Sequence, residues 1–273
     1  MCGYCGWQSV SRRSFCRTSV GAAVGVAIAT ATGAPNSRAA MILASSARAA
    51  DPDAPVEPKI RLAGVPAEKR VVALTFDCCP GAFDTRIADV LVAERIPATI
   101  FITWLWMRRN PSGLALLLAH PDLFAIENHG EMHIPPVLGD RTIFGIRAAG
   151  DLPTIHCEIE AGARAIQTAT GTAPRWYRAA TGFYTPSVIP QIETMGFAIG
   201  AYSFSADQGA SLPAARVAQR MAAARSGDII VAHLNQPLRP SGLGVVEGLR
   251  ALQRQGTNFV RLDQAGTTRP TYT

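Results

Sequence analysis

The sequence predicts an α/β domain built as a (β/α) barrel of seven or eight units. Three observations carry that prediction. Short β-rich runs alternate with amphipathic helical segments from residue 71 to residue 262, the pattern that yields parallel strands. About seven such units share roughly 210 residues, a density that suits a barrel better than an open sheet. Polar residues gather directly after the strands, and in a barrel those ends converge on one mouth, so that separated segments build one site.

The elements follow in order. Val71–Phe76 reads as the first strand, a β-branched and apolar run that ends in Asp77-Cys78-Cys79-Pro80-Gly81. Asp84–Glu94 is amphipathic and helical, Ala98–Thr103 a strand, Ser112–Ala119 a helix and Phe124–Ile126 a strand. Pro135-Pro136 stop any helix at once. Thr154–Thr170 is a helix, Trp176–Arg178 a short strand, and Pro186–Met195 a helix with Gly196 as its stop. Phe197–Tyr202 is a strand, Pro213–Ala224 a helix, Ile229–Ala232 a strand, Gly242–Arg254 a helix and Asn258–Leu262 the last strand. Residues 70–264 thus form one domain, with no internal repeat. Residues 50–69 are aperiodic and rich in Pro, Asp and Glu, a linker or an arm that wraps the domain, and residues 265–273 are a short tail.

The first 49 residues differ from the rest. Ser11-Arg12-Arg13-Ser14-Phe15 opens a basic start, an Ala/Gly/Val-rich run covers Ser19 to Gly33, and Ala47-Arg48-Ala49 precedes Ala50-Asp51 as a cleavage-site pattern, with Ala39-Ala40 as the alternative. This predicts an export signal of the twin-arginine type, and hence a periplasmic or extracellular bacterial protein. The apolar run is too weakly hydrophobic for a permanent membrane anchor. Residues 1–49 carry five arginines and no acid, so their removal takes the formal net charge from +6 to +1. That balance leaves no basic stripe for nucleic acid. Cys78, Cys79 and Cys157 remain after cleavage, an odd count that gives no disulfide framework, and adjacent cysteines rarely bridge each other.

Five strand ends carry candidate chemistry. The most informative is Asn128-His129-Gly130-Glu131-Met132-His133, which spends two of the chain's five histidines four residues apart, a spacing that lets both imidazoles face one divalent metal. Thr75-Phe76-Asp77-Cys78-Cys79 ends the first strand. The others are Tyr177-Arg178-Ala179-Ala180-Thr181-Gly182, Ser203-Phe204-Ser205-Ala206-Asp207, and Gly227-Asp228-Ile229-Ile230-Val231-Ala232-His233. Trp104, Trp106 and Tyr184 are candidates for stacking on sugars, although core packing is the better reading for two of the three.

In this order and spacing the five segments resemble the motifs of the polysaccharide deacetylases, the family-4 carbohydrate esterases, over residues 70 to about 262. The resemblance implies a distorted (β/α) barrel, a divalent metal and hydrolysis of N-acetyl groups on a glycan. It assigns Asp77 as general base, Arg178 as the residue that orients it, His129 and His133 as metal ligands, and the backbone N–H of Thr181 as an oxyanion donor. It further assigns His233 as general acid and Asp207 as the carboxylate that orients His233. Zinc is the expected metal, with cobalt or manganese as alternatives, and an N-acetylated glycan is the expected partner. No protein partner is predicted.

The departures matter. The family pattern has a second aspartate after Asp77, and Cys78 stands there. A thiolate is a good zinc ligand, so Cys78 is the candidate third ligand. Asp77 or water in its place, or a weak or lost metal, are the alternatives. Gly130 replaces the usual Ser or Thr, Ala179-Ala180 replace prolines, and Gln208-Gly209-Ala210 stand where an aromatic is usual, which marks a divergent subgroup. Two further readings follow from these changes: a same-fold hydrolase of a non-glycan amide, and a non-catalytic carbohydrate-binding protein.

Overall fold

The computed structural model describes residues 51–272. The export segment at residues 1–49 therefore lies outside the described residues. A short strand β1 (Pro58–Lys59) leads into β2 (Val71–Cys78), α1 (Thr85–Ala93), β3 (Ala98–Ile102), α2 (Trp104–Arg109), α3 (Pro111–Leu118) and β4 (Phe124–Asn128). A hairpin of β5 (Thr142–Ile143) and β6 (Ile146–Arg147) precedes α4 (Leu152–Thr170), β7 (Trp176–Tyr177), α5 (Ile189–Thr194), β8 (Ala198–Ile199) and β9 (Phe204–Ser205). The chain ends with α6 (Ala214–Ala222), β10 (Ile229–His233), α7 (Ser241–Arg254), β11 (Asn258–Val260) and β12 (Thr271–Tyr272).

The main sheet runs β8-β7-β4-β3-β2-β10-β9, with β11 pairing the first residues of β2. Every pairing in it is parallel. The result is the expected α/β barrel in distorted form, a curled sheet whose edges β8 and β9 are not joined by a ladder among the described residues. Both edge strands are only two residues long. The arm, described from residue 51 to residue 69, lies along that opening. It bonds Val56 to Tyr184, Glu57 to Tyr202 (2.6 Å), Ile60 O to the Ser203 hydroxyl (3.2 Å) and Leu62 N–H to Gly227 O (2.8 Å). The tail returns to it, because β12 pairs antiparallel with β1.

The alternation of β2 splits the interior in two. Val72, Leu74, Phe76 and Cys78 face outward, where they pack with Ile87, Leu91, Val245 and Leu249 of the helices. Ala73 faces inward with Phe101, Tyr177, Ile199 and Val231. Asp77 has the same parity as Ala73, so the last inward position of β2 sits at the mouth.

Local chemistry fixes the helix starts. Asp84 accepts from Arg86 N–H (3.2 Å) to cap α1, Thr103 from Trp106 N–H (3.1 Å) to cap α2, and Asp151 from Thr154 N–H (2.8 Å) to cap α4. Gly171, with φ 74°, ends α4. Helix α2 was not expected from the sequence, since its six residues are too few to show a period. The expected strand Phe197–Tyr202 is shortened to β8, and the separate strand β9 begins two residues after its expected end.

Helices α6 and α7 cross closely at Gly244, where a Cβ would fall 2.8 Å from Ala214 Cα and nearer still to Ala214 O. Gly244→Ala is therefore expected to lower unfolding stability by about 1–3 kcal/mol through overpacking, measured as a fall in the urea midpoint at unchanged slope.

Candidate active site

Four strand ends, β2, β4, β7 and β10, converge on one polar cluster. Asp77 closes β2 and is 6% exposed, and Arg178, directly after β7, is 1% exposed. Arg178 Nη1 donates to Asp77 Oδ1 (2.7 Å), its Nε to Gly200 O (2.6 Å) and its Nη2 to Ala201 O (3.4 Å). The guanidinium also lies over the Phe101 ring at 4.0 Å. Burial pushes the Asp77 carboxyl up, but Arg178, His129 and His233 outweigh it and hold it below the usual range.

His129 follows β4, and the Arg178 carbonyl fixes its ring. Nδ1 lies 2.9 Å from Arg178 O, which makes Nδ1 the donor and leaves the Nε2 lone pair free to bind. That Nε2 is 3.4 Å from Cys79 Sγ and 4.0 Å from Asp77 Oδ2. Burial pushes the His129 pKa down, and Asp77 and Cys79 more than reverse it. The His133 ring stands 5.0 Å from the His129 ring, and His133 Nε2 is buried without a hydrogen-bond partner among the described residues. On the other side, His233 at the end of β10 places Nδ1 2.8 Å from Asp207 Oδ1 and donates its N–H to Asp207 Oδ2 (2.7 Å). Burial lowers the His233 pKa, but Asp207 and Cys79 raise it well above the ordinary value.

Cys79, not Cys78, joins this cluster. The ligand atoms of Cys79, His129 and His133 all lie within 4.8 Å of one another. Burial raises the Cys79 thiol, and His133 and His129 outweigh it and pull it well below its usual pKa, which favours the thiolate. Cys78 is corrected as a ligand: it points into the outer apolar core and burial pushes its thiol pKa well up. The physical reason is strand parity, which turns Cys78 away from the face of Asp77, while Cys79 follows after the strand has ended. A half-buried imidazole whose Nε2 has no hydrogen-bond partner among the described residues, a second imidazole with its Nε2 freed and a sulfur beside them fit a soft divalent ion such as zinc.

Thr181 sits in a tight turn after Arg178, closed by Gly182 N–H to Ala179 O (3.0 Å). Its φ of 71° is unusual for a β-branched residue and marks a backbone held in strain. Trp106 and Tyr184 are core residues, and Trp104 is half-buried with Arg108 over its ring at 4.8 Å. Two further residues were not found from the sequence. Glu158 of α4, buried, accepts backbone N–H groups of the His133 loop. Tyr202 lies under the Arg178 guanidinium at 5.3 Å. Nothing local marks Glu158 or Tyr202, and Cys79 lies beyond the end of β2, where strand parity no longer decides.

A family model described as polysaccharide deacetylase matches residues 64–200, half of the chain. The match ends before Asp207 and His233. A chitooligosaccharide deacetylase from Bradyrhizobium sp. (strain ANU 289) is 29% identical over 171 residues, which cover 62% of this chain and 72% of that protein. Among solved structures, a peptidoglycan N-acetylglucosamine deacetylase superposes with a TM-score of 0.62 at 20% identity, over 74% of this chain and 90% of that one. A CE4-family pseudoenzyme from Bacillus anthracis superposes with a TM-score of 0.57 at 18% identity, over 72% of this chain. The chain spans only 65% of that pseudoenzyme, and at these identities both structures establish the fold alone.

The two adjacent cysteines give opposite expectations. Cys78→Asp puts a carboxylate into the outer apolar core and is expected to cost about 3 kcal/mol or more of stability. Cys79→Asp sets a carboxylate beside two imidazoles and is expected to fold with stability close to the parent's. Thermal and urea unfolding of the two variants checks the difference.

Proposed function

The chain belongs to the polysaccharide deacetylase family, and we propose that it is a metal-dependent hydrolase that removes N-acetyl groups from a glycan outside the cytoplasm. The observation that carries this reading is the juxtaposition, at the ends of β2, β4 and β10, of a Cys79–His129–His133 cluster with two ion-paired acid–base groups.

The metal would be held by Cys79, His129 and His133, and zinc suits a thiolate and two imidazoles better than oxygen-preferring ions do. Bound there, it supplies a Lewis acid that polarises the acyl oxygen and acidifies water. The remaining work falls to the chain's own residues. Asp77 is ionised at neutral pH because Arg178 stands against Oδ1, and its Oδ2 takes the proton of the attacking water. Arg178 fixes the direction of that carboxylate, because its own guanidinium is locked by Gly200 O and by Phe101. The Thr181 N–H, in a turn that is rigid before substrate arrives, is assigned to the oxygen that gains charge at the acyl carbon. Asp207 favours the protonated form of His233, with Nδ1 committed to Asp207, so Nε2 is the atom that gives its proton to the leaving amine.

We further propose that residues 1–49 direct export and that residues 70–264 form the catalytic unit. Among the described residues no helix is long and apolar enough to cross a membrane. An N-acetylated glycan is the proposed substrate. The deacetylase name of the Bradyrhizobium relative supports that choice.

Acetate release from chitooligosaccharides and from peptidoglycan by the protein from residue 50 onward tests the reading. Release is expected to stop with a chelator, to return with zinc, and to fall by about 100-fold or more in Asp77→Asn. A folded, zinc-loaded protein that frees no acetate from either glycan sinks the glycan reading in favour of another amide. A protein that takes up no metal sinks hydrolysis altogether and leaves a binding role.

The His233–Asp207 pair sets a pH limit. The folded pKa of His233 is raised, so the protonated form and the stability it contributes are fully present below the ordinary histidine value and are lost as pH rises through the folded value. Asp207→Asn is expected to move the alkaline limb of the kcat/KM profile to lower pH and to reduce the plateau at least about tenfold. An alkaline limb that stays in place would show that His233 is not the acid.

A further inference from the structure

We propose that Glu158 is the positioning residue for His133, and that Gly130 is glycine because Glu158 occupies the space a side chain would need; His133 is here taken as a metal ligand, as in the preceding section. Glu158 projects from α4 and is 4% exposed. One of its oxygens, Oε1, accepts from the N–H of Met132 (2.9 Å), His133 (2.8 Å) and Ile134 (3.1 Å). Its Oε2 accepts from Met132 N–H at 3.0 Å. Three successive amides turned onto one carboxylate form an anion nest, here filled by the chain's own side chain.

Such a nest requires an unusual backbone, and the loop has one. Gly130 has φ 89° and His133 has φ 69°, so both sit in the left-handed region. For a histidine that conformation is strained and persists only where neighbouring bonds over-determine it. Here the bonds come from Glu158. The ring of His133 leaves this fixed backbone with one ring nitrogen within 4.8 Å of the ligand atoms of Cys79 and His129, and its Nε2 is buried without a hydrogen-bond partner among the described residues.

Gly130 completes the pair. A Cβ at residue 130 would come 3.1 Å from Glu158 Cδ and closer to Oε1, so serine or threonine there would collide with the carboxylate. One turn further along α4, Gly162 makes a second close approach to the same loop. A Cβ on Gly162 would fall 2.6 Å from Gly130 C, and Glu131 N–H reaches the Glu158 carbonyl at 3.0 Å. The glycine at residue 130 and the buried acid 28 positions later, in α4, therefore fit one another.

Zinc competition against a chromophoric chelator tests this on the protein from residue 50 onward, in the parent, Glu158→Leu and Glu158→Gln. Melting of each metal-free variant registers the fold separately. Leucine keeps volume and removes both acceptors, so zinc affinity is expected to fall at least about tenfold. Glutamine, whose amide oxygen still accepts, is expected to lie between leucine and the parent. Parental zinc affinity in Glu158→Leu overturns the proposal, as does a loss that only tracks the unfolded fraction. Where Glu158→Leu does not fold, Glu158→Gln decides: weaker zinc binding at an unchanged melting temperature supports the proposal, and parental binding overturns it. Where the parent takes up no zinc, the metal reading fails, and amide exchange at residues 132–134 then judges Glu158. Faster exchange in Glu158→Gln supports its hold on the loop, and unchanged exchange overturns it.

Discussion

The site depends on one buried ion pair, Arg178 with Asp77. Two charges at 1% and 6% exposure carry a large desolvation penalty, which only close geometry and full hydrogen bonding offset. Arg178 meets that demand with the Asp77 carboxylate, two backbone carbonyls and an aromatic face. Its own carbonyl then accepts from His129 Nδ1. A single residue thus fixes the direction of the carboxylate through its side chain and the tautomer of the imidazole through its backbone. Because β7 pairs with β4 next to this point, the sheet itself delivers both contacts.

The swap of a carboxylate for a thiolate follows from how β2 ends. The strand runs in strict alternation through Cys78, so the residue after Asp77 belongs to the helix-facing core. The sulfur that reaches the histidines is one residue further on, where the chain has left the sheet. A soft anion in this place narrows the choice of metal. It also puts negative charge beside His233, which adds to the effect of Asp207 on that imidazole.

The opening in the sheet has a structural answer as well. Edges as short as β8 and β9 do not complete a barrel, and the arm lies along the opening with bonds to segments on both sides. Through Glu57 and Tyr202 the arm also reaches the aromatic floor beneath Arg178, so a segment whose only strand is the two-residue β1 contributes to the rigidity of the site.

What the sequence by itself determined was local and periodic. The alternation of β/α units, the apolar parity of β2, the order of the strand ends and the pairing of His129 with His133 are all written in short windows, because strand and helix periods depend on near neighbours. The family resemblance lay in the same windows. Tertiary structure decided the rest. It chose Cys79 over Cys78, since where a strand stops depends on its partners and not on its own residues. It cut the expected strand Phe197–Tyr202 back to two residues, and it left the sheet open for the arm to line. It also brought Glu158 to the His133 loop across 25 residues of chain. Contacts of that kind leave no period in the sequence, because they are set by how helices and loops pack once the sheet has formed.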